Sequence, residues 1–350
     1  MISPSEEFKR RMLEPIEALF EDASELNSAL SAGSGRNRVG IDGGADVGGR
    51  SRADGIVRTT PSRKEVRRYD PEAVQDTMSE ITALVGLGGV KGSIDRLAAY
   101  CYIESKRRKR KLPGTDLTLH CLFSGNPGTG KTTVARLIGR LFRGLGLLRS
   151  GHTVEVDKSD LVGGYLGQTP SLVAEKIAEA RGGVLYIDEA YSLTEDSQDL
   201  YGSEAISTLI KGMDDHRDDL TVIVAGYPEK MQKFIRANPG LRSRFTRTIY
   251  FPDYSPGELQ EILRRLCAAR ALKPWAGFLF RSEMMWQRLY EQAETAEGNG
   301  RLVRTAFEWA LENQATRLSR SPDIGDSQLL ELLPSDWDGI ESRLKATPYG

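Results

Sequence analysis

Between residues 117 and 251 five short apolar runs, LTLHCLFSG, HTVEV, GVLYIDE, LTVIVAG and RTIYF, are separated by stretches in which apolar residues return every three or four positions, as in TTVARLIGRLF and EAISTLIKGM. A short apolar run bounded by turn residues predicts a buried strand, and a period near 3.6 predicts a helix with one apolar face. Strands that alternate with helices imply a parallel sheet covered on both faces, since each crossover lays its helix against the sheet. After Pro252 the strand pattern stops. SPGELQEILRRLCAARAL, RSEMMWQRLYEQAE and RLVRTAFEWALENQATRL read only as helices, so a small all-α domain follows an α/β domain. There is no internal repeat.

Upstream, Phe8, Met12, Leu13, Ile16, Leu19 and Phe20 recur at helical spacing and predict one amphipathic helix. The segment 31–62 is rich in Gly, Ser, Arg and Asp and almost free of large apolar side chains, which predicts a disordered tether. Order resumes near Asp70, with a helix, a glycine-punctuated turn and a second helix that ends in the basic run KRRKRK at 106–111. The expected division is therefore an N-terminal helix within 1–30, a linker over 31–69, the α/β domain over 70–254, the helical domain over 255–335 and a tail over 336–350.

With 350 residues the chain is long enough for about two domains. A net charge of −1 gives no global pull toward nucleic acid or an anionic membrane, so any such contact would be local. Three separated cysteines, Cys101, Cys121 and Cys267, point to reduced thiols in a cytoplasmic protein rather than to a disulfide framework. His120, His152 and His216 stand singly, which disfavours a protein-only zinc site. The charged N-terminus lacks the apolar core of a signal peptide, and no segment approaches the apolar length of a membrane span.

The chemistry is concentrated where apolar runs end. GNPGTGKT, comprising Gly125, Asn126, Pro127, Gly128, Thr129, Gly130, Lys131 and Thr132, follows one strand and opens a helix with Thr133. This is the phosphate-loop pattern: backbone amides and the helix N-terminus cradle phosphates, Lys131 adds a cation, and the Thr132 hydroxyl suits Mg²⁺. GGVLYIDEAY ends a second buried strand in two carboxylates. Asp188 is placed to hold the Mg²⁺ hydration shell, and Glu189 to orient or deprotonate an attacking water, as an ATP hydrolase requires. NPGLRSRF places Arg242 and Arg244 just before the last strand, where an arginine reaches a neighbouring subunit's phosphate more easily than its own. Arg244 is the candidate finger across a head-to-tail interface. In GNGRLVR, Arg301 and Arg304 share a helix face, and Arg304 is the candidate to tie the helical domain to the nucleotide. Finally, DLVGGYLGQT sets Tyr165 among glycines, which reads as a mobile loop with one aromatic at its tip or as a ring packed on its own domain.

Together with LVGLGGVK at 84–91, YGSEAISTLIKGMDD and VIVAGYPEKM, these motifs resemble the AAA+ ATPases, and more narrowly the CbxX/CfxQ group. That group includes red-type Rubisco activases, the EccA ATPases of type VII secretion and a stage V sporulation protein. The resemblance spans roughly 84–318. It implies a parallel-sheet P-loop domain with a helical lid, ATP and Mg²⁺ as cofactors, and an adenine pocket lined by Val85, Gly86 and Leu87. It further implies a homo-oligomeric ring, expected to be a hexamer, in which the Tyr165 loop faces a central pore and grips a protein client. Two departures qualify this. Gly226 and Tyr227 stand where many AAA+ proteins place an Asn or Thr sensor, so the first sensor is left unassigned. The N-terminal region is also too short for the helical-repeat domain of EccA. A Rubisco activase proper, a nucleic-acid-dependent ATPase using 106–111, and a nucleotide-gated scaffold remain open as alternatives.

Overall fold

The computed structural model describes residues 69–113, 118–165, 167–195, 200–292, 298–321 and 323–346. The amphipathic helix expected at 8–20, and the linker up to residue 68, lie outside the described residues. The α/β domain opens with α1 (Pro71–Ala83), started by Pro71 at its first turn and by the Asp70 carboxylate, which accepts the Ala73 N–H at 3.1 Å. A turn with positive φ at Gly86 and Leu87 leads into α2 (Gly88–Lys109). The basic run closes α2, where Arg107 pairs with Glu104 at 2.5 Å and the Lys106 ammonium lies 5.2 Å from the Tyr102 ring centre.

From there the chain follows the anticipated alternation: β1 (Cys121–Gly125), α3 (Lys131–Gly144), β2 (Thr153–Val156), the short α4 (Lys158–Leu161), α5 (Gln168–Ala180), β3 (Val184–Ile187), α6 (Leu200–Asp215), β4 (Thr221–Gly226), α7 (Pro228–Ala237), α8 (Pro239–Arg244) and β5 (Arg247–Phe251). All five strands are parallel, in the order β2-β3-β4-β1-β5. Every residue of β1, β3 and β4 is buried, as a sheet covered on both faces requires. This order places the C-terminal end of β4 between those of β1 and β3. The loop after β1 and the carboxylates after β3 therefore flank one crevice, in keeping with ligand sites at strand C-termini.

His120 precedes β1 inside this packing. Its Nδ1 accepts the Val222 N–H at 2.9 Å, and burial, seconded by the Arg244 charge and opposed by Asp214, pushes its pKa down to about 4. It is a neutral structural acceptor.

The helical domain contains α9 (Pro256–Ala269), α10 (Ala276–Glu291), α11 (Asn299–Leu318), α12 (Asp326–Leu330) and α13 (Ile340–Ala346). Ser255 and Glu258 form a reciprocal capping box at the start of α9. A two-residue parallel pairing of β6 (Lys273–Pro274) with β7 (Glu331–Leu332) is too short to leave a period in the sequence. Folded structure also continues past residue 335, where the sequence suggests a tail. Trp337 meets Phe278 and Trp286 edge-on, with ring centres 4.9 and 5.7 Å away, and Ile340 and Leu344 are buried. Asp336, 1% exposed, pairs with Arg317 at 2.8 Å. No described helix is long and apolar enough to cross a membrane.

Two predictions follow from this packing. Trp337→Ala removes a ring from the centre of the helical domain and should cost about 3–5 kcal/mol, seen as an earlier transition of that domain in calorimetry. His120 has a folded pKa depressed below its ordinary 6.5, so the unfolded chain binds more protons between pH 6.5 and about 4. Stability should therefore fall as pH drops through that window, by an order of 2–3 kcal/mol, and His120→Asn, which keeps an acceptor for Val222, should flatten that part of the pH–stability curve.

Candidate functional site

β1 ends at Gly125, where any Cβ would overlap the Phe251 carbonyl, and the following loop takes positive φ at Gly128 (+73°) and Gly130 (+94°). This brings bare backbone to the N-terminus of α3. Lys131, 8% exposed, donates to the carbonyls of Gly125 at 2.9 Å and Asn126 at 2.8 Å. Burial pushes its pKa down to about 8; Asp188 works against that shift and Arg301 adds to it.

Asp188 and Glu189 sit at the end of β3. Thr132 Oγ1 donates to the Tyr186 hydroxyl at 3.3 Å, and that hydroxyl donates to Asp188 Oδ1 at 3.4 Å. Two hydroxyls and a carboxylate thus converge on one spot. Hard oxygen donors of this kind suit Mg²⁺, which takes few protein ligands and completes its shell with water and phosphate. No cluster of three or more His, Cys, Asp or Glu able to hold a metal occurs among the described residues, so a metal here would depend on that partial set. Glu189 adopts φ +47°, a left-handed conformation uncommon for a non-glycine residue, and its N–H donates to Asp188 Oδ1 at 3.0 Å.

Gly226 has a steric cause. A Cβ there would come within 2.6 Å of Tyr191 Cδ1, so the Tyr191 ring fills the space a sensor side chain would need. Tyr191 stands beside Tyr227, ring centres 6.0 Å apart, with the Lys230 ammonium 4.4 Å from the Tyr191 ring centre. Burial first, and then the adjacent Glu189 carboxylate, raise the Tyr191 phenol above its ordinary pKa.

These elements enclose a cavity of about 690 Å³, within the range of small-molecule sites. Of the residues anticipated from sequence, Val85, Gly125, Pro127, Gly128, Gly130, Lys131, Thr132, Thr133, Asp188, Glu189 and Arg304 line it. Others stand behind it. Gly86 turns the chain and Leu87 is buried, so of the anticipated adenine contacts only Val85 faces the cavity, with Ala83 and Leu84 beside it. The Asn126 amide is turned onto Asp253, and the Thr129 hydroxyl donates to the Asn126 carbonyl at 2.8 Å. Arg244 lies outside, doubly paired through Nε and Nη2 with Asp214 of α6 and donating from Nη1 to the Gly240 carbonyl at 3.0 Å. Arg242 is exposed.

Tyr165 is 80% exposed, against the reading that it packs on its own domain. Its loop is less free than its glycines suggest. The Gly163 N–H donates to Thr169 Oγ1 and the Gly164 N–H to Gln168 Oε1, both at 3.1 Å, so the first turn of α5 pins the loop just ahead of the tyrosine.

Sequence reasoning passed over several residues of the site. Tyr186 was legible in principle, because strand alternation puts residues 186 and 188 on one face. The motif favours Arg304 over Arg301, yet both line the cavity and it is the Arg301 charge that is felt at Lys131. Tyr227, Tyr254, Ile262, Arg265 and Leu266 also contribute to the lining.

The sequence matches the model of the ATPase family associated with various cellular activities (AAA) over residues 121–253, and that of the AAA lid domain over 255–347. Stage V sporulation protein K of Bacillus subtilis (strain 168) is 38% identical over 271 residues, covering 75% of this chain and 82% of that protein. CbbX of Cereibacter sphaeroides is 41% identical over 265 residues, covering 74% and 84%. A chloroplastic ribulose bisphosphate carboxylase/oxygenase activase of Cyanidioschyzon merolae (strain NIES-3377 / 10D) is 40% identical over 253 residues, covering 71% and 85%. A glycine-turned loop ending in a buried lysine, a carboxylate pair across the end of β4 and a helical lid over one cavity agree with these matches: the chain belongs to the AAA family of ATPases, in the group of CbbX and stage V sporulation protein K, and is an ATP hydrolase.

Proposed function

We propose that the chain assembles head to tail into a ring, a hexamer, whose ATP hydrolysis moves Tyr165 loops against a protein client in the central pore. The observation that carries this reading is Tyr165, an aromatic ring held out to solvent on a backbone pinned by Gln168 and Thr169, away from the cavity. A ring with an apolar face can grip many peptide sequences without reading any one of them.

In this reading the amides of the 125–131 loop and the N-terminus of α3 receive the phosphates, and Lys131 exchanges its carbonyl partners for phosphate oxygens. Thr132 and Asp188, with Tyr186 between them, would hold Mg²⁺, which supplies neutralising charge to the phosphates when bound. Glu189 orients the attacking water. Arg304 and Arg301 bring positive charge from the lid, and Arg244, outside its own cavity, serves the neighbouring subunit once it leaves Asp214. Hydrolysis in a shared site makes each subunit's state depend on its neighbour, which is what a ring needs in order to act in sequence.

A second reading, that the client is ribulose bisphosphate carboxylase/oxygenase, draws on the relative named as an activase of that enzyme. The sporulation relative is nearly as similar, so the client is better found directly, by affinity capture on a Glu189→Gln protein that holds ATP and client together.

Glu189→Gln should retain ATP binding and lose turnover, whereas Lys131→Ala should lose binding; equilibrium binding with phosphate release separates the two. Arg244→Ala should lower turnover by about 10³-fold if the finger acts as it does in dissected trans systems. Mixing it with Glu189→Gln should recover activity, because mixed rings contain composite sites with both groups intact. No recovery in demonstrably mixed rings would place Arg244 within its own chain. Tyr165→Ala should leave basal ATPase and the melting midpoint unchanged while client-stimulated ATPase collapses, and Tyr165→Phe should keep much of it. Equal loss of all activities in Tyr165→Ala would remove the client-grip role.

A further inference from the structure

Behind the cavity, a polar knot ties the phosphate loop to the lid. Asp253 follows β5 at the junction of the two domains, and its carboxylate accepts the Asn126 amide at 2.9 and 3.0 Å and the Asn299 amide at 2.8 Å. Asn299 opens α11. It is fully buried, holds φ +48°, accepts the Tyr254 N–H at 2.9 Å and donates to the Pro127 carbonyl at 3.3 Å. Beside it the backbones touch: the Gly300 N–H donates to the Gly128 carbonyl at 3.1 Å. A Cβ on Gly128 would overlap the Gly298 carbonyl, and one on Gly300 would come within 2.9 Å of the Gly128 carbonyl.

We propose that Asp253 and Asn299 are positioning residues of the nucleotide site, through which the lid sets the shape of the phosphate loop. Neither side chain lines the cavity; both hold Asn126, Pro127 and Gly128 in place, and the Asp253 charge is also felt at Lys131. A buried asparagine in the left-handed region carries a backbone cost that surrounding bonds must offset, and here those bonds run to the loop and the interdomain junction. Two residues further on, the same helix sends Arg301 into the cavity. Lid position and loop shape are thereby one variable: an α11 shift that withdraws the arginine also pulls on Pro127 and Gly128. The inference rests on the reading of residues 125–132 as the phosphate loop.

The test uses the full chain with ADP as the probe. Asn299→Asp tolerates the left-handed backbone but sets a carboxylate against Asp253, and should weaken ADP binding about tenfold or more, the scale of a coupled pair. It should raise the KM for ATP more than it lowers kcat. Adding Asp253→Asn swaps amide and carboxylate: residue 253 then donates to residue 299 while still accepting from Asn126, so affinity should rise at least about threefold above that of the single variant, short of wild type because residue 299 no longer donates to the Pro127 carbonyl. An Asn299→Asp protein that binds ADP normally, or a double variant as weak as the single, overturns the inference. Should Asn299→Asp fail to fold, Asp253→Ser decides instead: weaker ADP binding at an unchanged melting midpoint supports the inference, and unchanged binding overturns it. Lys131→Ala is the control on the underlying reading. If it binds ADP normally, the phosphate loop itself is misassigned; if it does not, a failed rescue counts against Asp253 and Asn299 alone.

Discussion

The site is organised around the burial of one ammonium. Lys131 is 8% exposed at the head of α3, and removing a cation from water is costly enough to lower its pKa to about 8 even with Asp188 nearby. Carbonyls of Gly125 and Asn126 partly offset that cost, and they can approach only because the loop is nearly all backbone. A negatively charged polyphosphate would satisfy the same cation far better. Glycine at 125, 128 and 130, the end of β1 beside the central strand β4 and the left-handed start of α3 all serve to put bare amides and one cation in the same small volume.

The same bareness makes the loop dependent on its neighbours. A loop with few side chains of its own to pack has to be held from outside, and the holding groups are Asp253 and Asn299, the first through the loop's own Asn126, together with the backbone of residues 298–300. Each contact crosses from the α/β domain to the lid or to the junction between them. Rigidity in the loop and freedom in the lid are therefore incompatible, and the arginines of α11 cannot be placed independently of the amides that face them.

The sequence discloses a residue when its chemistry demands a type at a spacing. Lys131, Thr132, Asp188 and Glu189 are legible for that reason, as are the five strands, whose residues are apolar on both faces. The clasp is not. Asn126 and Asp253 are 127 residues apart and Asn299 and Asp253 are 46 apart, and nothing local to any of the three signals a partner. Gly86 and Leu87 miss the cavity because the turn at these two residues directs only Val85 toward it. The folded C-terminal stretch escapes notice since its elements run only four to seven residues, too short to show a period, although Trp337 fixes the helical core. The loop around Tyr165 looks unrestrained until Gln168 and Thr169 are seen to reach back to it. A polar pair at a helix start shortly after paired glycines is a signal that could have been read.

The backbone path from Asp188 to the Tyr165 loop is short and closely held. The Asp188 N–H donates to the Val156 carbonyl at 2.9 Å, so the carboxylate end of β3 is bonded to the last residue of β2. Asp157 follows at once and caps α4 through a reciprocal box with Asp160, which fixes the direction in which the chain leaves the sheet. Leu161, 1% exposed, anchors the end of that turn, and Gly163 comes two residues later. Six residues, 157–162, thus separate the backbone bonded to Asp188 from the first pinned glycine. Along them a strand end, a capped turn and a buried leucine leave little slack. Beyond Leu161 the glycines begin, and there Thr169 and Gln168 take over, holding the amides of Gly163 and Gly164 to the first turn of α5, so the backbone is bonded at both ends of the stretch that leads to Tyr165.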